Sequence, residues 1–294
     1  MKPFAGEIER LDIPVSEAAP VKIFTYSYQK PAGATYDAHF GLELGIVLSG
    51  RLRQDYREHR RIIGPGQVWF CGMWEPHGGR ISEAPCEIVV MVIWPPMLAQ
   101  MRFAESPELG WLAPFTLKPA DRPQVAPSNR KYLLEQALRL KKLADPATPL
   151  EKAQIRIGLL NILTMVLGRS DFEPNSAGPH PAYWEKLNRA AQLVYENKKF
   201  ISTSAAAKEC GLNRFFFSRL FKGWMGLKFS DFAVSFRLKQ SVVRLLNGNE
   251  PVKSVARQWG FVDTSHYNRI FRKYYGCSPS EYRRKPRLLS RGMP

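Results

Sequence analysis

The chain has 294 residues, which is enough for about two domains. It is 45% hydrophobic and 23% charged, and this balance excludes an intrinsically disordered chain. The net charge of +17 is uneven, because residues 180–294 hold 22 of the 43 basic residues but only 7 of the 26 acidic ones. Such a basic half predicts a polyanionic partner, either nucleic acid or an anionic membrane surface.

The sequence also argues against a domain held by disulfides or thiolate zinc sites and against a membrane-spanning segment. The cysteines are scattered and form no Cys-x-x-Cys pair, which argues against a disulfide framework and a thiolate zinc site and favours a reducing, cytoplasmic setting. They are Cys71, Cys86, Cys210 and Cys277. The N-terminal segment has no apolar leader, and the best apolar run, Ile88–Leu98, is short and broken by two prolines. No membrane span is predicted.

The first hundred residues predict a β-rich domain. Residues 1–20 read as a loose arm, and residues 21–100 read as short strands separated by glycine and proline, which is typical of a sandwich or barrel. A helix capped by Ser128 and a second helix after Pro149 follow. The second helix is apolar over most of its surface, so we expect it to form a dimer interface or to close the open end of the barrel. The residues concerned are Leu159, Leu160, Leu163, Met165 and Val166.

The composition changes to that of a loop at residues 169–181, where the charge balance also changes. We therefore predict an N-terminal domain over 1–168, a linker over 169–181 and a basic domain over 182–294. After the linker the pattern is helical, with Ser202 as an N-cap and Gly211 at the end of that first short helix.

The basic domain contains an internal repeat. The stretch at 211–232 resembles the stretch at 260–282, with the first glycines 49 positions apart and the later matching residues 50 apart. A period of this length indicates one supersecondary unit used twice, here a short helix, a glycine turn and a second helix. The second helices carry large apolar residues at i, i+3, i+4 and i+7, which predicts one buried face on each. Those residues are Phe217, Leu220, Phe221 and Trp224, then Tyr267, Ile270, Phe271 and Tyr274.

The opposite face of each second helix is polar or basic, and it suits base edges and phosphates in a major groove. It holds Phe215, Ser218, Arg219 and Lys222 in the first unit and Ser265, Asn268, Arg269 and Arg272 in the second. A single unit of this kind would be as well explained by a helical hairpin with a solvated basic face. Two units with matching faces favour a DNA-binding domain.

At this point the C-terminal domain resembles the AraC/XylS-type bacterial transcription regulators. The resemblance covers about residues 183–284 and is most specific at 252–261 and in the run "HYNRIFRKYYG". Three residues depart from the family pattern: Thr203 stands in place of leucine, Ser241 in place of alanine and Tyr267 in place of phenylalanine.

The resemblance implies two helix–turn–helix units that read adjacent major-groove segments about one helical turn apart. By position, it assigns base readout to Phe215, Ser218, Arg219, Thr264, Ser265, Asn268 and Arg269. It assigns phosphate contacts to Arg214, Lys222, Arg272 and Lys273. It further implies a homodimer and contact with RNA polymerase.

The N-terminal domain is more weakly similar to the cupin-like effector domain of such regulators. The similarity rests on His39, Glu43, the Pro65–Gly66 turn and His77, although one expected histidine is absent near Gly41. We assign His39, Glu43, Trp69 and His77 to an effector pocket that takes a small molecule, such as a sugar or an aromatic acid. Two imidazoles and a carboxylate would also suit a metal, or the two histidines could simply hydrogen-bond within the barrel. No metal or cofactor is predicted.

The predicted fold is thus α+β and multidomain: a cupin-like β-barrel with helices, then an all-α domain with two helix-turn-helix units. We expect a cytoplasmic, ligand-responsive transcription regulator, an activator rather than a repressor, and not an enzyme. Two alternatives stay open. One is a cupin-type metalloenzyme with a basic C-terminal domain, and the other is a DNA-binding regulator that needs no ligand.

Overall fold

The computed structural model describes residues 8–105, 110–168 and 183–284, which divide into two compact units. The N-terminal unit holds a seven-stranded sheet, and the C-terminal unit is helical and includes Arg10–Asp12. The sheet-rich and helical halves are as predicted. The predicted linker at 169–181 lies outside the described residues.

The strands of the sheet pair in the order β1-β3-β7-β4-β5, with β2 also on β7 and β6 also on β4. They are β1 Ile8–Leu11, β2 Val21–Tyr28, β3 Ala32–His39, β4 Leu42–Tyr56, β5 Arg60–Ile63, β6 Val68–Cys71 and β7 His77–Ile93. Since β1 belongs to the sheet, the prediction of a loose arm over residues 1–20 is wrong there. That the strands close into a cupin-like barrel stays a prediction.

Two long strands organise the sheet, where the sequence predicted only short ones. β4 has 15 residues and β7 has 17, and they pair antiparallel along their whole length, from Leu42 opposite Ile93 to Tyr56 opposite His77. The register shifts around Gly50, whose φ is +70° and whose added Cβ would lie 2.5 Å from the Glu83 carbonyl oxygen. Glycine therefore forms a bulge inside β4 instead of the turn that ends a strand.

Four α-helices complete the described part of the N-terminal unit, at Pro95–Ala99 (α1), Ala113–Thr116 (α2), Arg130–Lys142 (α3) and Pro149–Leu167 (α4). Ser128 lies in a 3-10 turn, and α3 begins after Asn129 without a side-chain cap, so the predicted Ser128 cap is wrong. Helix α4 starts with a capping box between Thr148 and Glu151. Within the described residues, no helix is long and apolar enough to cross a bilayer.

The apolar residues of α4 are divided between core and surface. Leu159, Leu163 and Val166 are fully buried. Leu160 and Met165 are half-buried. The apolar residues that α4 leaves at the surface are instead Leu150 and Ile157, at 68% and 61% exposure.

The C-terminal unit contains seven helices among its described residues. They are α5 Trp184–Glu196, α6 Thr203–Glu209, α7 Arg214–Met225, α8 Phe229–Asn247, α9 Val252–Gln258, α10 Thr264–Tyr275 and α11 Pro279–Arg284. Helices α6 and α7 form the first repeated unit, α9 and α10 form the second, and α8 connects them. The predicted cap on α6 is present, because the Ser202 hydroxyl accepts from the Ala205 N–H at 3.1 Å.

The two repeated units match in their backbone geometry. Gly211 and Gly260 make the turns with φ of +62° and +69°, a conformation that favours glycine. The second helices are each 12 residues long. They begin at an Asx cap, Asn213 accepting from the Phe216 N–H at 2.9 Å and Asp263 from the His266 N–H at 2.7 Å. The repeat seen in the sequence is therefore a repeat of structure.

The aromatic residues of the second helices form the core of this unit, as predicted. Phe217, Phe221, Tyr267 and Phe271 are fully buried, whereas Leu220 and Ile270 are only half-buried. Met225 in α7 and Tyr275 in α10, four residues after Phe221 and Phe271, are also buried in this core.

Two of the departures from the family pattern contact each other. The hydroxyl groups of Ser241 in α8 and Tyr267 in α10 are 3.0 Å apart, and both residues are completely buried. Ser241 donates to the Leu238 carbonyl at 2.7 Å, so the Tyr267 hydroxyl is the donor to Ser241. A phenylalanine-to-tyrosine exchange in the core is thus accompanied by an alanine-to-serine exchange that satisfies the new hydroxyl.

Candidate functional site

The second helix of the first unit, α7, presents the predicted DNA-facing residues at the surface. Phe215 is 87% exposed, which is unusual for a phenylalanine in a structured helix. Arg214, Arg219 and Lys222 are exposed, and Ser218 is half-buried. Phe215, Arg219 and Lys222 lie opposite the buried aromatic face, and Arg214 lies at the exposed first turn.

Local contacts orient two side chains of α7. The Ser218 hydroxyl donates to the Arg214 carbonyl at 2.8 Å, which leaves its oxygen as an acceptor. The Arg219 guanidinium lies over the Phe216 ring, 5.4 Å from its centre. Stacking on the ring restricts the guanidinium without using its N–H donors, which stay available for a base or a phosphate.

The second helix of the second unit, α10, repeats the arrangement. Ser265, Arg269, Arg272 and Lys273 are exposed, and Thr264 and Asn268 are half-buried. Ser265, Arg269 and Arg272 therefore lie on the face of α10 away from Tyr267 and Phe271, whereas Thr264 lies at the first turn on the side of these two aromatics.

One surface residue was missed by the sequence analysis. Val262 precedes the Asp263 cap and is 87% exposed. A hydrophobic residue just before an N-cap usually packs against the first turn of its helix, so the position of Val262 in the sequence is typical of a structural residue. Its exposure makes it a candidate for contact with a thymine methyl group.

The C-terminal unit is similar to known proteins. Residues 206–285 match the model of a helix-turn-helix domain. The matched relatives include the arabinose operon regulatory protein of Escherichia coli, 28% identical over 127 residues, which are 42% of this chain and 43% of that protein. Residues 206–285 are a helix-turn-helix domain, and the relatives that share it are AraC/XylS-type regulators.

Other similarities agree with this assignment. Regulatory protein SoxS of Escherichia coli is 25% identical over 85 residues, which cover 29% of this chain and 79% of that protein. Regulatory protein PocR of Salmonella typhimurium is 25% identical over 118 residues, 40% of this chain and 39% of that protein. The chain spans about two fifths of the length of the arabinose operon regulatory protein and of PocR.

The fold also resembles a solved structure beyond the AraC-type domain. The structure of ToxT from Vibrio cholerae aligns with 90% of this chain and 97% of its own, with a TM-score of 0.50 and 13% identity. At that identity the likeness concerns the fold alone.

In the N-terminal unit, the four residues predicted to form the effector pocket do lie together. The Glu43 carboxylate is their centre: its Oε2 is 3.2 Å from Nε2 of both His39 and His77. Its Oε1 accepts a hydrogen bond from the Trp69 indole N–H at 2.7 Å. The indole reaches it because residue 45 is glycine, where an added Cβ would lie 1.9 Å from the Trp69 ring. All four residues are buried.

Two members of this cluster were not identified from the sequence. Asp37 lies directly opposite His77 across the β3–β7 pair, and its Oδ1 is 3.5 Å from His77 Nε2 and 3.9 Å from His39 Nε2. Cys71 lies opposite Glu43 across the β4–β6 pair, and its thiol donates to Glu43 Oε1 at 3.6 Å. Asp37 and His39 are two residues apart on one strand, so strand alternation could have revealed Asp37 as a member of the cluster. The position of Cys71 depends on the register between β4 and β6, which one strand does not specify.

The cluster perturbs the protonation of its members. Burial raises the pKa of Glu43, but His77 and His39 outweigh it and hold that pKa well below its usual value. Burial alone would lower the pKa of His77, and the acidic neighbours Cys71, Glu43 and Asp37 instead raise it well above its usual value. Burial raises the pKa of the Cys71 thiol to about 12, so at neutral pH the carboxylates are the charges that act on His77. These directions favour a protonated His77 beside an ionised Glu43.

Proposed function

We propose that this protein is a sequence-specific DNA-binding transcription regulator whose N-terminal unit responds to a small molecule. The observation that carries the proposal is the duplication: two helix–turn–helix units have the same turn, cap and helix length, and both keep a polar, basic face free. A helical hairpin that only packs in a core would not need the free face twice.

The electrostatics support a nucleic acid as the partner. Residues 180–294 carry a net charge of +15, and the exposed cations of α7 and α10 lie on the faces that the aromatic core leaves open. Neutralising phosphates with such cations releases counterions, so the affinity should fall steeply as the salt concentration rises.

We assign the roles on the two faces by position. Near the start and middle of each helix, Phe215, Ser218, Arg219, Thr264, Ser265, Asn268 and Arg269 read bases. Arg214, Lys222, Arg272 and Lys273 contact phosphates and fix the register, because phosphate contacts position the protein without reading sequence. Arg219 and Arg269 each offer the planar pair of donors that binds guanine through two hydrogen bonds.

The remaining assignments extend the proposal to the whole protein. His39, Glu43, Trp69 and His77 belong to the site through which the N-terminal unit senses its effector. The regulator acts in the cytoplasm as a homodimer and contacts RNA polymerase. Analytical ultracentrifugation at micromolar protein concentration tests the dimer, and a monomer at all concentrations would contradict it.

The function itself is tested by a binding selection with fragments of genomic DNA. The purified chain is incubated with the fragments in moderate salt, and the retained DNA is sequenced. We expect enrichment of sites with two recognition segments about one helical turn apart, and a much weaker retention at high salt. Retention without a common sequence, with or without the effector, would contradict specific regulation.

A further inference from the structure

The loop between α5 and α6 carries two lysines that have no role in the account above. Lys198 and Lys199 lie just after α5, and both are exposed. The Lys198 ammonium lies over the Trp259 ring, 5.5 Å from its centre, and Lys199 makes no ion pair or hydrogen bond among the described residues. The neighbouring acid, Glu196, pairs with Arg189 at 3.7 Å instead. The loop therefore presents two positive charges that pair with no carboxylate of the described chain.

This pair of charges is not part of the repeated scaffold. Residues 197–202 are matched 50 positions later by residues 247–252, so an equivalent loop precedes each unit. The positions of the two lysines are held in the second loop by Gly248 and Asn249, which carry no charge. Since the second loop serves its unit without lysines, the fold of the loop does not require them.

The backbone of the first loop is held against the turn of the second unit. An added Cβ at Gly260 would lie 2.5 Å from the Lys198 carbonyl oxygen and 3.0 Å from Lys199 Cα. Only glycine lets the two segments approach so closely. The two lysines are therefore fixed beside the turn that leads into α10, the helix that carries Ser265 and Arg269.

Arg237 of α8 holds the loop and the turn together. The residue is 2% exposed, and its guanidinium donates to the Gly260 carbonyl at 3.2 Å. The same guanidinium lies 5.3 Å from the ring centre of Phe200, in the loop, and 5.4 Å from that of Phe261, in the turn. Because one buried side chain contacts both segments, packing sets the distance between them.

The loop is also continuous with the first unit. Ser202, at the end of the loop, caps α6, the first helix of that unit. The two lysines thus lie at the junction of the two units. If the units read adjacent major-groove segments about one helical turn apart, the DNA at this junction is the stretch between the segments. A lysine ammonium on a flexible stem suits a phosphate better than the fixed pattern of a base edge.

We propose that Lys198 and Lys199 form a third DNA-contacting element, which binds backbone phosphates between the two recognition segments. This inference rests on the proposed function, because it requires both units on one DNA site. The loop would strengthen binding and fix the position of the two units without reading sequence. The four phosphate residues assigned to α7 and α10 correspond to a salt slope of about −3.6, and two more contacts change it to about −5.4.

The test compares the full chain with Lys198→Ala/Lys199→Ala, using a duplex from the genomic selection and a scrambled duplex. Fluorescence anisotropy gives the affinity at a series of salt concentrations. The plot of the logarithm of the binding constant against the logarithm of the salt concentration should become less steep by about 1.8. Both duplexes should be weakened by similar factors. Lys198→Arg/Lys199→Arg keeps the charges and should keep the slope.

The matched control is Lys142→Ala/Lys152→Ala. It removes two exposed lysines from the N-terminal unit and lowers the net charge of the chain by the same amount. The control should bind like the parent chain, and circular dichroism should show unchanged helix content in every variant. An equal change of slope in the control would show a general effect of net charge and would overturn the proposal.

A second measurement locates the contact on the DNA. The phosphates between the two recognition segments are replaced by neutral methylphosphonates. On this duplex the slope for the parent chain should become less steep by about 1.8, whereas the slope for the double alanine variant should not change further. Equal losses for the two chains would overturn the proposed place of contact.

Failure of this inference can be told apart from failure of the proposed function. A parent chain that prefers no duplex over the scrambled one would overturn both. A parent chain that binds its site specifically, with an unchanged slope for Lys198→Ala/Lys199→Ala, would overturn the role of the loop alone.

Discussion

Arg269 and Arg272 lie three residues apart on α10, slightly less than one helical turn. Comparing them separates the base-reading role from the phosphate-positioning role. Both are exposed, and both lose the same charge when changed to alanine. If Arg269 binds a guanine through two hydrogen bonds, Arg269→Ala should cost about 1–3 kcal/mol, or roughly a 5- to 150-fold loss of affinity, on the specific site only.

Arg272→Ala should act differently. The residues assigned to phosphates are Arg214, Lys222, Arg272 and Lys273. Four phosphate contacts give a slope of about −3.6 for the logarithm of the binding constant against the logarithm of the salt concentration. Removing one contact should reduce the steepness of that slope by about one and should weaken specific and random DNA by similar factors.

The assay is fluorescence anisotropy of a labelled specific duplex and a scrambled duplex, at four or more salt concentrations. Each variant is compared with the parent chain, and circular dichroism confirms that the helices are retained. Equal losses on both duplexes for Arg269→Ala, or an unchanged salt slope for Arg272→Ala, would refute the division of roles on this face.

The remaining predictions concern the scaffold that carries the two faces. Phe221→Ala should lower the free energy of unfolding by about 3–5 kcal/mol because the ring is fully buried, whereas Phe215→Ala should change it by less than about 0.5 kcal/mol and weaken DNA binding instead. Chemical denaturation measures the first effect and anisotropy the second, and equal stability losses would contradict the two-faced helix. Ser241→Ala should cost about 1–3 kcal/mol because it leaves the buried Tyr267 hydroxyl unpaired, and adding Tyr267→Phe should recover most of that loss. Additive losses in this double-mutant cycle would show that the hydroxyl pair is not coupled. Gly260→Ala should destabilise more than Gly211→Ala, since both need positive φ but an added Cβ at 260 would lie 2.5 Å from the Lys198 carbonyl oxygen, while at 211 nothing is nearer than 3.9 Å. Similar melting temperatures for the two variants would contradict that comparison.

The helical half could be predicted well because its information is local. Spacing of three and four residues specifies the buried face of a helix, and a capping residue such as Ser202 specifies where a helix begins. The same rule overestimated the burial of Leu220 and Ile270, which lie at the edge of the face. Spacing gives the direction of a side chain but not how far its neighbours cover it.

The β half was predicted less completely because its structure depends on strands that are far apart in the chain. Gly50 lies at a bulge within β4, and only the pairing with β7 makes that so. Cys71 joins the cluster through its register with Glu43. Register is set by packing and pairing over the whole sheet, and a single strand does not reveal it.

The central claim is that the two repeated units read two different segments of one DNA site. The most direct measurement is the genomic binding selection carried out in parallel with the parent chain, Arg219→Ala and Arg269→Ala. The account predicts that the parent enriches a site with two segments, and that each variant loses sequence preference in one segment while keeping it in the other. Loss of preference across both segments in either variant, or no change in both, would contradict it.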